Sequence, residues 1–220
     1  MPRNVAVVAG ATGLVGRYLL EVLLEDSFYD QIVVLVRRPL ERFERKLEQR
    51  MVDFENLRST DLAGGTHLFS CLGTTMKKAG SQAAFRRVDY DYPLMLARLG
   101  QEAGALRFML VSSVGADPDA GSFYLRVKGE LERDLEAIHF EATHVFRPAV
   151  LLGRREEARG GEEWAARLSR ALEWMMAGGL SKYRPMPAGV LAASMAAAGE
   201  RGEPGRHVHH YNQIVRLAGF

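Results

Sequence analysis

The sequence is poor in the features that mark secreted and membrane proteins. Its 220 residues include one cysteine, Cys71, which excludes an internal disulfide framework and is typical of a reducing compartment. No apolar run approaches the length of a membrane span, and the first apolar run begins so soon after Met1 that we expect no signal peptide. These absences predict a cytoplasmic protein.

The sequence also lacks any block of like charge. The formal net charge is +2, and charged residues make up 25% of the chain. Composition therefore gives no argument for a nucleic acid or a membrane surface, and we expect neither among the partners. The length predicts one domain with a substantial core.

Apolar runs of strand length alternate with helical patterns along the chain. The predicted strands are Val5–Ala9, Gln31–Val36, a short strand ending at Met51 and Val52, His67–Leu72, Arg107–Ser112, Thr143–Leu152 and Arg206–Tyr211. The predicted helices are Leu14–Leu24, Ser81–Ala103, Ser122–Ile138, Gly161–Ala177 and Val190–Ala198. The charged stretch Arg38–Arg50 predicts a short helix or a loop.

This alternation predicts an α/β fold, in which a doubly wound parallel sheet is covered by helices on both faces. We expect the sheet core to lie within about residues 1–153. The remaining residues, about 154–220, would form a small C-terminal cap on the substrate side.

A turn with three glycines joins the first predicted strand to the first helix. In the stretch VAVVAGATGLVG, Gly10 allows a sharp turn, Gly13 allows close approach to a diphosphate, and Gly16 allows the helix to pack on the sheet. The free N–H groups at the start of the helix would then favour the anion. The spacing G-x-x-G-x-x-G is typical of short-chain dehydrogenase/reductase relatives and predicts a dinucleotide site. The alternative is a glycine turn that only packs.

Charged residues after the second and third strands indicate which dinucleotide binds. A carboxylate usually follows the second strand where the ribose is unphosphorylated, but this chain has Arg37 and Arg38. Guanidinium groups suit a 2′-phosphate, so we favour NADP(H) over NAD(H). The alternative is a pair of solvated arginines. Asp53, after the third strand, could accept from the adenine amino group or act only as a turn residue.

A serine, a tyrosine and a lysine form the predicted catalytic set. In SSVGADPDAGSFYLRVK, Ser113 ends the fifth strand, and Tyr124 and Lys128 are four residues apart on one face of the next helix. The ammonium would stabilise the phenolate form of Tyr124, which then acts as general acid or base toward a carbonyl/alcohol pair. Ser112 remains an alternative to Ser113. The other interpretation is a half-buried tyrosine with a surface lysine.

Four stretches together resemble the atypical short-chain dehydrogenase/reductases: GATGLVG, SCLGTT, LVSSVGADPDAGSFYLRVKGELE and VFRPAVLLG. More closely, they are similar to the branch that contains the Tat-interactive oxidoreductase-like protein of animals and its bacterial relatives, and we expect a bacterial-type member. The resemblance covers Val5 to about Trp164. It implies a single-domain Rossmann fold with NADPH as cofactor.

The resemblance also implies which residues contact the cofactor. In chain order they are Gly10, Thr12, Gly13, Leu14, Gly16, Arg37, Arg38, Cys71, Leu72, Gly73, Lys128, Arg147 and Pro148. Among these, the turn Gly10–Gly16 would face the phosphates, Lys128 would touch the nicotinamide ribose, and Arg147 with Pro148 would approach the nicotinamide end. Lys128 would also belong to the catalytic set with Ser113 and Tyr124.

These features predict an NADP(H)-dependent oxidoreductase that acts on an unidentified small carbonyl or alcohol. The alternative is a non-catalytic NADPH-sensing module that binds a protein, because the animal relatives are associated with protein–protein roles. A pure sensor has no use for the pair of Tyr124 and Lys128. Both a homodimer and a protein partner stay open.

Other residues carry weaker signals. His207–His210 has no cysteine or acidic cluster nearby, so we interpret it as surface or packing rather than a metal site. The substrate walls are expected from Thr74–Ser81 and from the part after Gly153. Within the first of these, Lys77 and Lys78 are interpreted as a solvated loop.

Overall fold

Strands and helices alternate through the described part of the chain, which is residues 4–153 and 178–220 of the computed structural model. The strands are β1 (Val5–Ala9), β2 (Gln31–Val36), β3 (Leu47–Met51), β4 (His67–Ser70), β5 (Arg107–Val111), β6 (Ala142–Phe146), β7 (Leu151–Leu152), β8 (Met186–Pro187) and β9 (Gly205–His209). The α-helices are α1 (Leu14–Glu25), α2 (Met76–Ala79), α3 (Gln82–Arg86), α4 (Tyr92–Glu102), α5 (Phe123–Asp134), α6 (Ala188–Arg201) and α7 (Tyr211–Leu217).

Seven strands form one sheet in the order β3-β2-β1-β4-β5-β6-β9, and every neighbouring pair is parallel. The chain leaves β1 toward β2 on one side and later returns to β4 on the other side. Ligands of open α/β sheets bind where the strand order reverses in this way, at the carboxyl ends of the strands. The predicted α/β Rossmann fold is confirmed.

Both faces of the sheet are buried, as expected for parallel strands. Along β1, Ala6 and Val8 point into the core formed with α1 and α6, while Val5, Val7 and Ala9 point into the core on the α4 side. All five side chains of β1 are buried. The strand is therefore fixed from both faces, and its carboxyl end is held at the edge of the sheet where the glycine turn begins.

The C-terminal part contributes to the sheet rather than only capping it. Strand β9 pairs with β6, and α6 packs against α1 with Leu191 and Met195 fully buried. The sequence suggested a sheet core that ends near residue 153. The structure instead extends the sheet to β9. The predicted helix Gly161–Ala177 lies outside the described residues. Within residues 4–153 and 178–220, no helix is both long and apolar enough to cross a membrane.

Two segments differ locally from the sequence-based expectation. The charged stretch Arg38–Arg50 was predicted to form a short helix or a loop. Its last part, Leu47–Arg50, belongs to β3 and pairs with β2. The predicted helix over Ser81–Ala103 contains a π-helical turn, Arg87–Asp91, between α3 and α4. In this turn the Tyr92 N–H donates to the Arg87 carbonyl five residues earlier. The next residue is Pro93, which has no N–H to donate to the preceding turn.

Two buried histidines join β6 to β9. The rings of His144 and His209 stack with their centroids 5.2 Å apart. Nδ1 of His144 lies 2.9 Å from Nε2 of His209. One nitrogen donates and the other accepts, so the accepting ring must be neutral, and protonation of both rings would break this hydrogen bond. Burial, and then the neighbouring imidazoles, lower the pKa of His144 to about 3 and that of His209 to about 4.

Acid should therefore loosen this edge of the sheet. Because the folded-state pKa values lie below the unfolded value, the neutral histidines stabilise the fold above pH 6.5, and this contribution is lost as pH falls toward 4. At pH 5, each histidine should lower the free energy of unfolding by about 2 kcal/mol relative to pH 7.5. The free energy of unfolding is measured with urea at pH 7.5 and pH 5. It should fall less between these pH values for His144→Asn than for the parent chain. The exposed His139→Asn is the matched control, and an equal effect there would contradict the assignment.

Candidate cofactor and active site

Two adjoining cavities form a groove across the carboxyl ends of the central strands. Their volumes are about 720 Å³ and about 340 Å³. The larger cavity lies beside the ends of β1 and β2, and the smaller one lies beside the end of β5 and the start of α5. Residues that line both are Thr12, Gly13, Cys71, Leu72 and Gly73. The groove follows the point where the strand order reverses, and so it can hold one extended ligand.

The glycine turn is shaped by close backbone approaches. Gly10 has a φ of +88°, and a Cβ there would lie 2.6 Å from the Cys71 carbonyl oxygen. The Gly13 N–H donates to the Gly10 carbonyl oxygen at 2.9 Å. No side chain caps the start of α1, so its first N–H groups have no side-chain acceptor and suit a diphosphate. This bare turn fits the dinucleotide cofactor.

Gly16 belongs to the packing of this turn rather than to the groove. A Cβ at Gly16 would lie 2.1 Å from the Gly10 carbonyl oxygen, so a side chain there would push α1 away from the turn. Gly16 lines neither cavity. This close fit agrees with a packing role for Gly16, and the contact with phosphate that the resemblance implies stays a prediction.

Charged side chains line the far end of the larger cavity. Arg37 and Arg38 are exposed there, and Asp53 lies beside them. The Asp53 carboxylate accepts hydrogen bonds from the Glu55 N–H at 3.0 Å and the Asn56 side-chain amide at 2.7 Å. These two bonds lower the pKa of Asp53. The arrangement offers two cations and one ordered carboxylate to a ribose and its base.

The predicted catalytic residues all line the smaller cavity. Ser113 follows the end of β5, and Tyr124 and Lys128 lie on α5. Tyr124 is 37% exposed and packs against the Phe85 ring, with centroids 5.7 Å apart. Lys128 is only 3% exposed. The alternative of a surface lysine is therefore wrong.

Sequence reasoning missed the residue that pairs with Lys128. The Lys128 ammonium lies 2.9 Å from Oδ1 of Asp89, whose side chain is 1% exposed. The other oxygen, Oδ2, accepts from the Thr74 N–H at 2.8 Å. Asp89 lies in the π-helical turn and lines the smaller cavity. No signal in the sequence marks Asp89, because its neighbours Arg86, Arg87 and Asp91 make this stretch resemble a solvated helix face.

The hydrogen bonds of Ser112 and Ser113 differ, because a second buried carboxylate accepts from Ser112. Ser112 donates a hydrogen bond to Glu132, which is 2% exposed on α5. The Ser113 hydroxyl makes only a long hydrogen bond, 3.3 Å, to the Val114 carbonyl. Both serines line the smaller cavity. The Ser113 hydroxyl is thus held less firmly and is the better placed to bond to a ligand.

The side chain of Arg147 pairs with a buried carboxylate, and its approach to the nicotinamide end stays a prediction. Its Nη2 and Nε donate to Glu132 at 2.6 Å and 3.0 Å, because the buried carboxylate needs a cation nearby. Arg147 lines neither cavity, whereas Pro148 lines the smaller one, as does Leu14.

The loop after β4 supplies another wall of the groove. Cys71 lies where the two cavities join, and burial raises the pKa of its thiol to about 12, so the thiol stays protonated at neutral pH. Thr74, Thr75 and Lys78 line the smaller cavity, as expected of the wall Thr74–Ser81.

A parallel sheet in this order, with a bare glycine turn opening onto a groove, defines a protein with a Rossmann-type fold. Its fold matches a putative NAD-dependent epimerase/dehydratase from Bacillus halodurans, with a TM-score of 0.68 at 18% identity over 98% of each chain. It also matches MoeE5 in complex with UDP-glucose and NAD, with a TM-score of 0.69 at 18% identity, covering 97% of this chain and 80% of that one. Residues 8–63 match the family described as male sterility protein.

The chain belongs to the family of the proteins HTATIP2 and FMP52. It is 41% identical to HTATIP2 of Rattus norvegicus over 172 residues, covering 76% of this chain and 70% of that protein. It is 33% identical to FMP52 of Coccidioides immitis over 226 residues, covering 96% and 92%.

These relatives correct two expectations. The FMP52 proteins of fungi, including that of Debaryomyces hansenii, are named mitochondrial, so the prediction of a cytoplasmic location is wrong. The expected bacterial-type membership is not supported by relatives from rat and fungi.

The buried pair of Glu132 and Arg147 should be essential to the fold under the site. Replacing Glu132 with alanine leaves Arg147 and Ser112 without their partner, and should lower the free energy of unfolding by about 3 kcal/mol. The matched control is Glu21→Ala, because Glu21 pairs with Arg42 at the surface and away from Glu132, and its replacement should lower the free energy of unfolding by less than about 1 kcal/mol. Chemical denaturation measures both. Equal losses would show that the buried network contributes no more than a surface pair.

Proposed function

We propose that the protein is an NADP(H)-dependent oxidoreductase of the short-chain type that acts on a small carbonyl or alcohol. The observation that carries the proposal is the convergence of Ser113, Tyr124 and Lys128 on the cavity that adjoins the glycine turn. The groove is continuous from this set to the paired arginines after β2. One dinucleotide could therefore reach from the arginines to the catalytic set.

The residues that would hold the cofactor fall into two groups. The start of α1, with Thr12 and Gly13, would bind the diphosphate through backbone N–H groups. Arg37 and Arg38 would bind the 2′-phosphate, since guanidinium groups pair strongly with phosphate oxygens. When bound, the nicotinamide supplies hydride transfer.

The side chains of the smaller cavity would handle the proton. The Ser113 hydroxyl would donate a hydrogen bond to the substrate oxygen and hold it next to Tyr124. The Tyr124 phenol would give its proton to that oxygen in reduction and take it back in oxidation. The Lys128 ammonium would stabilise the phenolate in between.

The walls of the smaller cavity favour a substrate of modest size. Its volume of about 340 Å³ must also accept the nicotinamide end of the cofactor. The non-catalytic NADPH sensor remains the second candidate, and the experiments below separate the two.

NADPH should bind more tightly than NADH, and the arginines should cause the difference. Replacing Arg37 and Arg38 together with alanine removes charge-assisted bonds to the 2′-phosphate, so NADPH affinity should fall roughly 10- to 100-fold while NADH affinity stays the same. Nucleotide fluorescence titrations measure both affinities. Arg58→Ala, an exposed arginine that lines neither cavity, is the matched control. Equal binding of the two nucleotides by the parent chain would refute the NADP(H) assignment.

Turnover should depend on the phenol of Tyr124. Oxidation of NADPH should be followed spectrophotometrically with a panel of small aldehydes and ketones. With any substrate found, Tyr124→Phe should lower kcat by about 10²- to 10⁴-fold, because the general acid is lost. The matched control is Tyr183→Phe, which changes a tyrosine of similar exposure that lines neither cavity.

Two results would overturn the catalytic role. Undiminished turnover by Tyr124→Phe would exclude the phenol as the acid. Tight NADPH binding without turnover of any panel member would favour the sensor instead.

A further inference from the structure

Strand β3 lies at one edge of the sheet, and in the described part of the chain it has a neighbouring strand, β2, on one side only. The N–H of Ile32 donates to the Lys46 carbonyl at 2.7 Å, and the N–H of Val52 donates to the Val36 carbonyl at 2.9 Å. Backbone groups alternate sides along a strand, so the even-numbered residues of β3 direct theirs toward β2. The residues whose backbone groups point outward are Leu47, Gln49 and Met51.

Most of these outward groups are available to another strand. The Leu47 N–H donates to the Glu44 carbonyl at 3.0 Å, which leaves the N–H groups of Gln49 and Met51 and the carbonyls of all three residues. Proteins usually protect such an edge with proline or with charge that repels a second strand. The sequence of β3, LEQRM, contains no proline and carries one charge of each sign.

The order of the two charges makes β3 complementary to itself. In an antiparallel pair of β3 strands with Gln49 opposite Gln49, Glu48 of each copy lies opposite Arg50 of the other. These charges occupy the pairs without backbone hydrogen bonds, where side chains are closest. The adjacent registers with the same bonding pattern place Glu48 opposite Glu48 or Arg50 opposite Arg50. Charge therefore selects a single register.

The two charged side chains are placed to take part. Both are partly exposed, and Nε of Arg50 donates to Oε1 of Glu48 at 2.6 Å. Nη1 of Arg50 donates to the carbonyls of Asp61 and Ala63, each at 3.0 Å. These bonds hold the guanidinium beside β3. In the strand pair, two guanidinium groups and two carboxylates would alternate on one face of the joined sheet.

The other face of β3 presents apolar surface at the same edge. Phe43 is 94% exposed and Met51 is 59% exposed. Together with Leu47 they line a cavity of about 560 Å³ between β3 and the segment that leads to it. In the register centred on Gln49, Leu47 of each copy lies opposite Met51 of the other, so pairing would cover part of this surface.

The opposite edge of the sheet lacks this complementarity. Strand β9, with the sequence GRHVH, directly follows Pro204 and contains one residue of fixed charge, Arg206. It has no carboxylate that Arg206 of a second copy could face, and Arg206 already pairs with Glu136 of its own chain. Of the two edges, β3 is therefore the one suited to a second copy.

We propose that β3 pairs with β3 of a second copy of the chain, antiparallel about a two-fold axis at Gln49, and joins the two seven-stranded sheets into one. Such an interface uses the same patch on both copies, as in most symmetric dimers. The proposal concerns association of the chain and does not depend on the proposed function.

The test is a charge reversal followed by complementation between two variants. Sedimentation of the parent chain over roughly 1–100 μM should show a reversible equilibrium of monomer and dimer. Glu48→Arg gives each edge two arginines, and Arg50→Glu gives each edge two glutamates. Either change should raise the dimer dissociation constant at least about tenfold, because like charges then face each other. An equimolar mixture of the two variants should form a heterodimer, in which every arginine faces a glutamate.

Controls separate this interface from effects within one chain. Glu102→Arg and Arg98→Glu reverse exposed charges on α4, and each should dimerise like the parent chain. Met51→Pro removes an outward N–H but no bond to β2. It should also raise the dissociation constant at least about tenfold and keep the far-ultraviolet circular dichroism of the parent, so the test stands even if a charge variant folds poorly.

Any of four results rules the interface out. The parent chain stays monomeric throughout the range, as it would if this edge received a strand of another protein. Both charge variants dimerise as tightly as the parent, or their mixture is no more dimeric than either variant alone. Met51→Pro leaves the dissociation constant unchanged.

Discussion

The groove depends on how closely the glycine turn approaches the end of β4. The Gly10 backbone is so near the Cys71 carbonyl that a Cβ would lie 2.6 Å from its oxygen, and its φ of +88° disfavours any other residue. Since β1 and β4 are neighbours in the sheet, this contact sets where α1 starts. It also brings Gly13 and Gly73 to the same groove. The bare start of α1 and the loop that leads to Thr74 are thus positioned by one close approach.

One face of helix α5 runs from the groove into the interior of the protein. Tyr124, Lys128 and Glu132 are four residues apart, and their exposed fractions fall from 37% to 3% and 2%. Each of the two buried charges has an opposite charge from another element, Asp89 for Lys128 and Arg147 for Glu132. Each buried charge on this helix face is therefore paired, and in the proposed function the partly exposed phenol of Tyr124 would exchange protons with a ligand.

The sequence predicted the elements that local pattern determines. The bounds of β1 and β2 agree with their apolar runs, and Ser113, Tyr124 and Lys128 share a cavity as their order implied. The buried roles of Asp89 and Glu132 could not be seen, because in a pattern of alternating charges they resemble a solvated helix face. Their partners come from distant parts of the chain, so only the folded arrangement reveals them. The pairing of Arg147 with Glu132 could not be seen for the same reason.

The two ends of the groove differ in how the chain holds its charges. At the end beside β2, Arg37 and Arg38 are exposed, so their proposed attraction for a phosphate would be screened by salt and would act mainly in choosing the nucleotide. At the catalytic end the charges are buried and paired in fixed geometry, where screening is weak. In the proposed function, nucleotide choice would therefore vary through surface substitutions near β2 without disturbing proton transfer at Tyr124. The geometry of Tyr124 and Lys128 would change only together with the packing of α5 against the π-helical turn.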